Sequence, residues 1–316
     1  MRKPVLLLAM LAIFCSSCTS DSNNEEDMND PVDPITGMSE ARIFALILDT
    51  NDNASVANYN HDTNVLSNIF PLNSEGFYEE TTVYDAANNR IMYATDTGIS
   101  TVNVINGAIT SKPFPFNAAN GYGLALHYDT SNTKIYALIS DSDDNFMVSE
   151  YDFDNNTLSN TFSISDDGAF EESTVYDSTN KRILYATDTG INAVNVLNGS
   201  ITSRSFPFDA TDGYVLSLHY DHIENKFYVL VLDTNDDFIL AEYNYDSNTL
   251  LNSFSVSGEG FYPETAVYNV AEKKIIYAND TGIDAVNVLD GSVTSKPFPF
   301  ATANGYSLSL LYGVTQ

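Results

Sequence analysis

The stretch that decides the fold is residues 84–98, which read YDAANNRIMYATDTG. It returns 92 residues later as YDSTNKRILYATDTG (176–190), and after another 92 residues as YNVAEKKIIYANDTG (268–282). Neither step contains an insertion or a deletion. Self-similarity at a fixed period indicates a repeat architecture, in which each copy forms the same unit and buries its apolar surface against the next one.

Each 92-residue repeat contains two smaller units, which we call A-type and B-type. The Tyr-Asp pair at Tyr84 recurs after 44 residues at Tyr128, and after a further 48 residues at Tyr176. Both units continue with a polar turn, a basic residue and three more short apolar runs separated by turns. Four short β-rich runs within 40–50 residues are typical of one four-stranded blade of a β-propeller.

Turn residues indicate how the strands of an A-type unit are ordered. The pairs Asn106-Gly107, Asn198-Gly199 and Asp290-Gly291 lie between its third and fourth strands, and such pairs favour type I′ hairpins. The fourth strand then contains proline, at Pro113, Pro207 and Pro297 among others. Because proline cannot donate a hydrogen bond to a central strand, we expect this strand at the outer edge of the sheet.

Counting blades predicts six. Complete A-type blades begin near Thr81, Ser173 and Thr265, and complete B-type blades begin near Gly123 and Val215. The chain ends with a B-type first strand, at 306–312, and residues 42–49 match a B-type second strand. The fold class is therefore an all-β, six-bladed β-propeller over residues 41–316, with pseudo-three-fold repeats and a closing blade shared by both termini. Such closure leaves no open sheet edge.

The strand pattern resembles that of six-bladed propellers of the NHL and YVTN type. In those repeats, an apolar-x-Tyr/Val-Asp strand is followed by Asn-Lys/Arg-Ile-Tyr, and Ala94–Gly98 is similar to the Ala-Asp-Thr-Gly turn of NHL repeats. The resemblance covers residues 41–316 and implies the fold, but many activities use this fold, so it implies no particular function. The alternation of unequal blades departs from the family pattern and suggests triplication of a two-blade unit.

The first 40 residues predict export and anchoring. Arg2 and Lys3 precede an 11-residue apolar run, which is followed by Cys15-Ser-Ser-Cys18. We interpret residues 1–17 as a lipoprotein signal peptide, Cys18 as the lipidated N-terminus and residues 18–40 as a disordered acidic tether. The alternative is an ordinary signal peptide with incidental cysteines. We therefore expect an outer-membrane or cell-surface lipoprotein of a Gram-negative bacterium, which contacts the membrane only through its lipid.

Charge is predicted to differ between the two faces of the propeller. The sequence has 43 acidic and 13 basic residues and a net charge of −30, which argues against nucleic acid as a partner. We call top the face with the loops between blades and between strands two and three, and bottom the opposite face. The basic residues after Lys3 fall at the bottom turns (Arg42, Arg90, Lys134, Lys181, Arg182, Lys226, Lys273, Lys274) or on outer strands (Lys112, Arg204, Lys296).

The top face contains the candidate ligand-binding residues. Glu80, Glu172 and Glu264 precede the first strand of each A-type blade, so three-fold symmetry predicts them around the mouth of the central channel. Six aromatic residues are predicted near the same rim, as a collar for a ligand or, alternatively, as packing between blades: Tyr78, Phe170, Tyr262, Tyr122, Tyr214 and Tyr306.

A possible calcium pattern occurs in the top turns of the B-type blades. The turns read Asp-x-[Asp/Asn]-x-[Asp/Asn], at Asp49, Asn51 and Asn53, at Asp141, Asp143 and Asn145, and at Asp233, Asn235 and Asp237. Oxygen ligands at alternate positions resemble the opening of a calcium-binding loop. The glycine and glutamate that complete an EF-hand loop are missing, so plain solvated turns are the alternative. Ca²⁺ is the one cofactor that the sequence suggests.

No catalytic motif is evident. The Asp-Thr-Gly triplets at Asp96, Asp188 and Asp280 lie on non-adjacent blades, whereas an aspartic protease needs two carboxylates about 3 Å apart. His127 and His219 are symmetry mates whose third position is Leu311, which excludes a ring of three histidines. We expect a monomeric, non-enzymatic propeller that binds a protein, peptide or cationic ligand on its acidic top face. The alternatives are a metal-dependent hydrolase, resembling the lactonase-type six-bladed propellers, and a structural spacer.

Overall fold

The computed structural model describes residues 41–51, 53–72, 77–119, 122–143, 145–164, 170–210, 215–233, 237–256, 261–302 and 306–314, without the side chains of residues 79, 170–172 and 314. The predicted signal peptide, Cys18 and the predicted tether lie outside these residues. Within them the chain forms 24 strands in six four-stranded antiparallel sheets, which confirms the predicted six-bladed propeller.

Blades 1, 3 and 5 are the A-type blades. Blade 1 contains β4 (Val83–Asp85), β5 (Arg90–Thr95), β6 (Gly98–Asn103) and β7 (Ile109–Pro113). Blade 3 contains β12 (Phe170–Asp177), β13 (Arg182–Thr187), β14 (Gly190–Asn195) and β15 (Ile201–Ser205). Blade 5 contains β20 (Val267–Asn269), β21 (Lys274–Ala278), β22 (Ile283–Asn287) and β23 (Val293–Lys296). Short 3₁₀ turns, Glu79–Thr81 and Pro263–Thr265, precede blades 1 and 5.

Blades 2, 4 and the closing blade are of the B type. Blade 2 contains β8 (Gly123–Asp129), β9 (Lys134–Ser140), β10 (Phe146–Asp152) and β11 (Thr157–Ser163). Blade 4 contains β16 (Val215–Asp221), β17 (Lys226–Leu232), β18 (Phe238–Asn244) and β19 (Thr249–Ser255). The closing blade contains β24 (Ser307–Val314), β1 (Ala41–Leu48), β2 (Ala54–Asn60) and β3 (Val65–Pro71). No helix in the described part of the chain is long and apolar enough to cross a membrane.

The ring closes through the two ends of the chain, as predicted. Strand β24 pairs antiparallel with β1 over its whole length, from Ala41 opposite Val314 to Leu48 opposite Ser307. The first strands contact one another in the order β4, β8, β12, β16, β20, β24 and back to β4. The fourth strands of the A-type blades lie at the sheet edges, and Pro113 ends β7, which confirms the assignment made from proline.

The hydrophobic core lies between the blades. Phe44 and Leu46 of β1 pack toward blade 1, whereas Ile43, Ala45 and Ile47 of the same strand pack toward blade 5. Both faces of a middle strand are therefore buried, which is why these strands read as continuous apolar runs instead of alternating ones. Tyrosine side chains with the same position in each A-type blade are fully buried, at Tyr93, Tyr185 and Tyr277.

The prediction of type I′ hairpins in the A-type blades was wrong. Strands β6 and β7 are joined by five residues, and the turn is closed by a hydrogen bond from Gly107 N to Asn103 O (2.8 Å). A type I′ turn requires a positive φ at both of its central residues. Gly107 has a φ of 71°, but Asn106 is not among the described residues with positive φ. The longer loop arises because Asn103 Oδ1 accepts hydrogen bonds from the Ile105 and Asn106 amides.

The Tyr-Asp pair of the repeat ties neighbouring blades together at the bottom face. Asp129 Oδ1 accepts a hydrogen bond from Ser131 N (2.9 Å), and its Oδ2 accepts bonds from Tyr176 Oη and Lys181 Nζ of blade 3, both at 2.7 Å. Burial alone would raise the pKa of Asp129, but the hydrogen bonds from Lys181, Ser131 and Tyr176 outweigh it and lower that pKa. This buried carboxylate therefore stays ionised and links two blades.

The same arrangement recurs once and is missing at the closure. Asp221 Oδ2 accepts bonds from Tyr268 Oη (2.9 Å) and Lys273 Nζ (2.6 Å) of blade 5. In the closing blade the aspartate position is Gly313. A Cβ atom there would lie 2.5 Å from the ring of Tyr84, which occupies the space of the missing carboxylate.

We expect Tyr176→Phe to lower the free energy of unfolding by about 1.5–3 kcal/mol, because it removes a hydrogen bond to a buried charge. Tyr84→Phe is the matched control: Tyr84 Oη donates to the neutral Asn89 Oδ1 at 3.2 Å, so the loss should be about 0.5–1.5 kcal/mol. Urea unfolding measures both. Equal losses would contradict the assigned role of the Asp129 carboxylate.

Candidate functional site

The two 3₁₀ turns fix the glutamates of the channel mouth. Thr81 Oγ1 donates to Tyr78 O (2.7 Å) and accepts a hydrogen bond from Ala94 N (2.9 Å). Thr265 makes the same pair of bonds in blade 5, to Tyr262 O and from Ala278 N, both at 2.8 Å. Because each buried threonine directly follows the glutamate, it holds the backbone of Glu80 or Glu264 in one position.

The third copy of this segment is built differently. Ser173 replaces the threonine and donates a hydrogen bond to Leu216 O. The segment is extended strand in β12 instead of a 3₁₀ turn. The side chains of Phe170 and Glu172 lie outside the described part of the structure, as does Tyr214. The pseudo-three-fold symmetry of the backbone is therefore broken at blade 3.

Glu80 and Glu264 line a central cavity with a volume of about 330 Å³. All six blades contribute to its wall, so the cavity is the channel along the axis of the ring. Polar groups lower in the wall include Thr82 and Ser309, whose hydroxyls are hydrogen-bonded to each other. No lysine or arginine is among the described residues that line the cavity.

Two neutral histidines also line the cavity. Burial lowers the pKa of His127 to about 4 and that of His219 to about 3, so both are uncharged at neutral pH. His219 Nε2 lies 2.8 Å from Ser217 Oγ, whereas His127 Nε2 is buried without a hydrogen-bond partner among the described residues. Leu311 lines the cavity at the third symmetry position. None of the described residues in the wall below the glutamates therefore carries a positive charge at neutral pH.

The cations of the propeller are held away from this cavity. At the bottom turns, Lys181 and Lys273 pair with the buried Asp129 and Asp221. Further ion pairs there join Arg90 to Asp85 and Asp154, Lys134 to Glu150, Arg182 to Asp177 and Asp246, Lys226 to Glu224 and Glu242, and Lys274 to Asp62 and Glu272. These contacts keep the basic side chains at the opposite end of the ring.

The described residues of the predicted aromatic collar differ in exposure, although the rings of Tyr78 and Tyr122 contact each other with their centroids 6.1 Å apart. Tyr78 and Tyr262 are each 38% exposed, and their hydroxyls donate to Asp96 (2.6 Å) and Asp280. The hydrogen bond to Asp96 raises the pKa of Tyr78, with burial as a smaller cause. These two rings lie at the surface within two residues of Glu80 and Glu264.

Tyr122 and Tyr306 take part in packing instead. The centroid of the Tyr122 ring lies 4.5 Å from that of the Phe114 ring and 5.8 Å from that of the Phe116 ring. Tyr306 lies in the same way 4.6 Å from Phe298 and 5.7 Å from Phe300. Both rings are half-buried, and whether they also contact a ligand stays a prediction.

The candidate calcium turns use their first carboxylate to hold the turn itself. Asp49 Oδ1 accepts hydrogen bonds from Asn51 N (2.8 Å) and Asn53 N (3.0 Å), and Asp141 Oδ1 accepts the same bonds from Asp143 N and Asn145 N, both at 3.0 Å. Backbone hydrogen bonds lower the pKa of Asp49 and of Asp141. In the third turn Asp233 Oδ1 accepts from Asp237 N (3.0 Å), while Asn235 lies outside the described residues.

Within the part of the chain that the structure describes, no group of three or more histidine, cysteine, aspartate or glutamate side chains is arranged to hold a metal ion. The calcium interpretation of the B-type turns counted asparagine ligands as well, and it stays a prediction.

Sequence reasoning missed the groups that position the site. Thr81 and Thr265 were used only to mark where blades begin, and the pairing of Tyr78 with Asp96 was not anticipated. The sequence did contain a signal for the tyrosine–aspartate pairing: the separation of 18 residues between the two is the same in blades 1 and 5. Ser217, which lies 2.8 Å from the His219 ring, has no counterpart in blade 2, where the same position is Ala125.

Comparisons with known proteins agree with the fold. No protein-family model matches the sequence, and no curated protein matches it either. The chain is similar in structure to TolB from Acinetobacter baumannii, with 12% identity and a TM-score of 0.59, covering 86% of this chain and 66% of that one. It therefore spans just under two thirds of the TolB chain.

Two gluconolactonases are similar to a comparable degree. The periplasmic gluconolactonase PpgL from Pseudomonas aeruginosa shows 9% identity and a TM-score of 0.54, over 85% of both chains. A gluconolactonase from Xanthomonas campestris shows 10% identity and a TM-score of 0.50, over 80% of this chain and 82% of that one. Likenesses at such identities show that this chain is a β-propeller and show nothing further about its activity.

We expect the His127→Leu, His219→Leu double variant to lose less stability than the wild type between pH 7 and pH 5. In the unfolded chain both histidines take up a proton near pH 6.5, whereas the folded pKa values of about 4 and 3 prevent this. The two histidines therefore make their full contribution to the free energy of unfolding above pH 6.5. This contribution falls as the pH drops, by about 2 kcal/mol per histidine at pH 5.

Urea unfolding at several pH values measures this difference. Leucine suits the position, since the third symmetry mate is Leu311. Replacement of the exposed His222 by glutamine controls for the loss of an imidazole. Parallel pH profiles for the double variant and the wild type would contradict the assignment of neutral, buried histidines.

Proposed function

We propose that this protein is a non-enzymatic binding propeller that captures a protein or peptide through a basic side chain placed at the acidic mouth of its channel. The observation that carries the proposal is the distribution of charge. Glu80 and Glu264 line the cavity without a lysine or arginine among the described lining residues. The ion pairs of the bottom turns hold seven basic side chains elsewhere.

The dimensions and chemistry of the cavity suit such a ligand. A volume of about 330 Å³ accommodates a lysine or arginine side chain. An ammonium group 4 Å from one carboxylate gains about 1 kcal/mol in bulk water and about 4 kcal/mol at an effective dielectric constant of 20. The exposed faces of Tyr78 and Tyr262 add a surface on which a cation is favoured. Glu172 is the expected third carboxylate of the same rim.

The orientation of the chain supports display of this face away from a membrane. Strand β1 begins at Ala41 on the bottom face, because it is the second strand of its blade. A lipid on Cys18 and a tether of residues 18–40 would therefore reach the propeller from below. We propose an exported, lipid-anchored monomer whose acidic mouth faces outward, in the periplasm or at the cell surface.

We expect the substitutions Glu80→Gln, Glu172→Gln and Glu264→Gln to weaken binding of a tetralysine peptide about fivefold each, since each carboxylate contributes about 1 kcal/mol to an exposed ion pair. Isothermal titration calorimetry at low salt measures the dissociation constant. The matched control carries Glu150→Gln, Glu242→Gln and Glu272→Gln, which change the net charge equally at the bottom face. Equal weakening in the two triple variants would show only non-specific attraction to an acidic protein.

The alternative function is metal-dependent hydrolysis, with a structural spacer as the remaining candidate. On the binding proposal, glucono-δ-lactone is not hydrolysed, with or without millimolar CaCl₂. A calcium-dependent rise in melting temperature, together with lactone hydrolysis that Glu80→Gln abolishes, would favour the hydrolase instead. A protein that binds neither calcium nor the tetralysine peptide would leave the spacer.

A further inference from the structure

Three loops of the bottom face each expose one large aliphatic side chain. Ile105 is 66% exposed, Leu197 is 63% exposed and Leu289 is 65% exposed. Each lies at the same position of the loop between the third and fourth strands of an A-type blade, 92 residues from the next. Ile223, 69% exposed, lies on the first hairpin of blade 4, on the same face.

The fold does not require an apolar residue at this position. The preceding valine of each loop is the one that packs into the core, at Val104, Val196 and Val288. The backbone amide of the exposed residue is satisfied by the asparagine that ends the third strand, for example Leu197 N by Asn195 Oδ1 at 2.9 Å. The side chain itself therefore projects into solvent from a loop of otherwise polar residues such as Asn106 and Asp290.

The three copies have diverged without losing this character. The residue is isoleucine in blade 1 and leucine in blades 3 and 5, while the residue after it changes from asparagine to aspartate in blade 5. Three points related by the pseudo-three-fold axis define a plane perpendicular to that axis. A flat, extended surface meets all three side chains at once, whereas a bound peptide would require only one of them.

The route of the chain indicates which surface this is. The 40 residues before β1, with the 11-residue apolar run and Cys18, join the propeller at Ala41 on the same face. Ion pairs such as Arg90 with Asp154 and Arg182 with Asp246 offset acidic charge on this face, which reduces the repulsion that an acidic protein meets at a bilayer. Exposed leucine and isoleucine side chains are suited to the boundary between headgroups and acyl chains.

We propose that the bottom face docks on a lipid bilayer, with Ile105, Leu197 and Leu289 inserted at the headgroup level. This inference deepens the proposed function and rests on its anchored state, and it replaces the expectation that the lipid alone contacts the membrane. Three aliphatic side chains bind a membrane weakly by themselves. A tether converts the contact into an intramolecular one at millimolar effective concentration, where weak insertion is enough to hold the propeller upright. The acidic mouth is then presented outward instead of at random.

The absence of tryptophan from the sequence makes a direct test possible, because Leu197→Trp introduces the only indole. A chain that begins at Cys18 contains one cysteine, which couples it to a maleimide lipid in phosphatidylcholine vesicles. We expect the tryptophan emission of the coupled Leu197→Trp variant to shift to the blue and to be quenched by brominated acyl chains. Ile69→Trp, on the exposed outer strand β3 of the closing blade, is the matched control and should show neither effect.

A second variant tests whether the shift at the reporter depends on the other two aliphatic side chains. Ile105→Ser and Leu289→Ser, added to Leu197→Trp, should abolish the blue shift while leaving the unfolding curve unchanged, since both side chains are exposed. Identical emission of Leu197→Trp with and without vesicles would overturn the proposal. A blue shift that needs no vesicles and grows with protein concentration would also overturn it, in favour of contact between two copies of the chain.

Failure of the membrane-docking proposal can be distinguished from failure of the proposed binding function. Chemical coupling at Cys18 replaces the natural lipid, so the vesicle experiment does not depend on lipidation in the cell. Metabolic labelling with radioactive palmitate tests that modification by itself. Tetralysine binding tests the top face, which the bottom-face substitutions leave unchanged.

Discussion

Every blade of this propeller has two apolar faces, and both must be covered by neighbouring blades. In β1, for example, Phe44 and Leu46 are buried against blade 1 while Ile43 and Ile47 are buried against blade 5. A row of such sheets has an exposed apolar face at each end until it closes on itself. The eight-residue pairing of β24 with β1 is therefore the contact on which the rest of the structure depends, because it completes the last sheet and covers the last two faces.

A second constraint, the pairing of buried charges, explains how the charges are divided. Buried carboxylates at the bottom of the first strands, such as Asp129 and Asp221, require cationic partners since an unpaired buried charge is strongly destabilising. Lys181 and Lys273 are held there for that reason. At the top face, Glu80 and Glu264 line the channel, and no lysine or arginine is among the described residues that line it with them. The pairing of lysines with buried aspartates at the bottom face thus leaves an acidic surface at the top face.

Near-identical repeats also reveal where the molecule departs from symmetry. Blade 3 enters the ring as an extended strand, with Ser173 in the place of Thr81 and Thr265. Below the mouth, the cavity has histidine at two symmetry positions and Leu311 at the third. Gly313 replaces an aspartate at the closing blade, where the ring of Tyr84 fills the space. The rim glutamate and the aliphatic residue of the A-type loops are among the features that all three copies retain in sequence.

By itself the sequence determined the number of blades, the closing of the ring by both termini and the outer position of the proline-containing strands, because these follow from a 92-residue period and from local backbone chemistry. It also predicted that Glu80 and Glu264 lie near the axis, since each precedes the first, innermost strand of its blade. Only the tertiary structure decided the turn type after β6, where the side chain of Asn103 competes for the backbone amides. It alone showed that Tyr78 is bonded to Asp96 at the surface, while Tyr122, whose ring contacts that of Tyr78, packs on Phe114. The first choice depends on which nearby backbone amides a side chain reaches, and the second on contacts between residues that the fold brings together. A repeat period carries no information about which neighbour a side chain will meet.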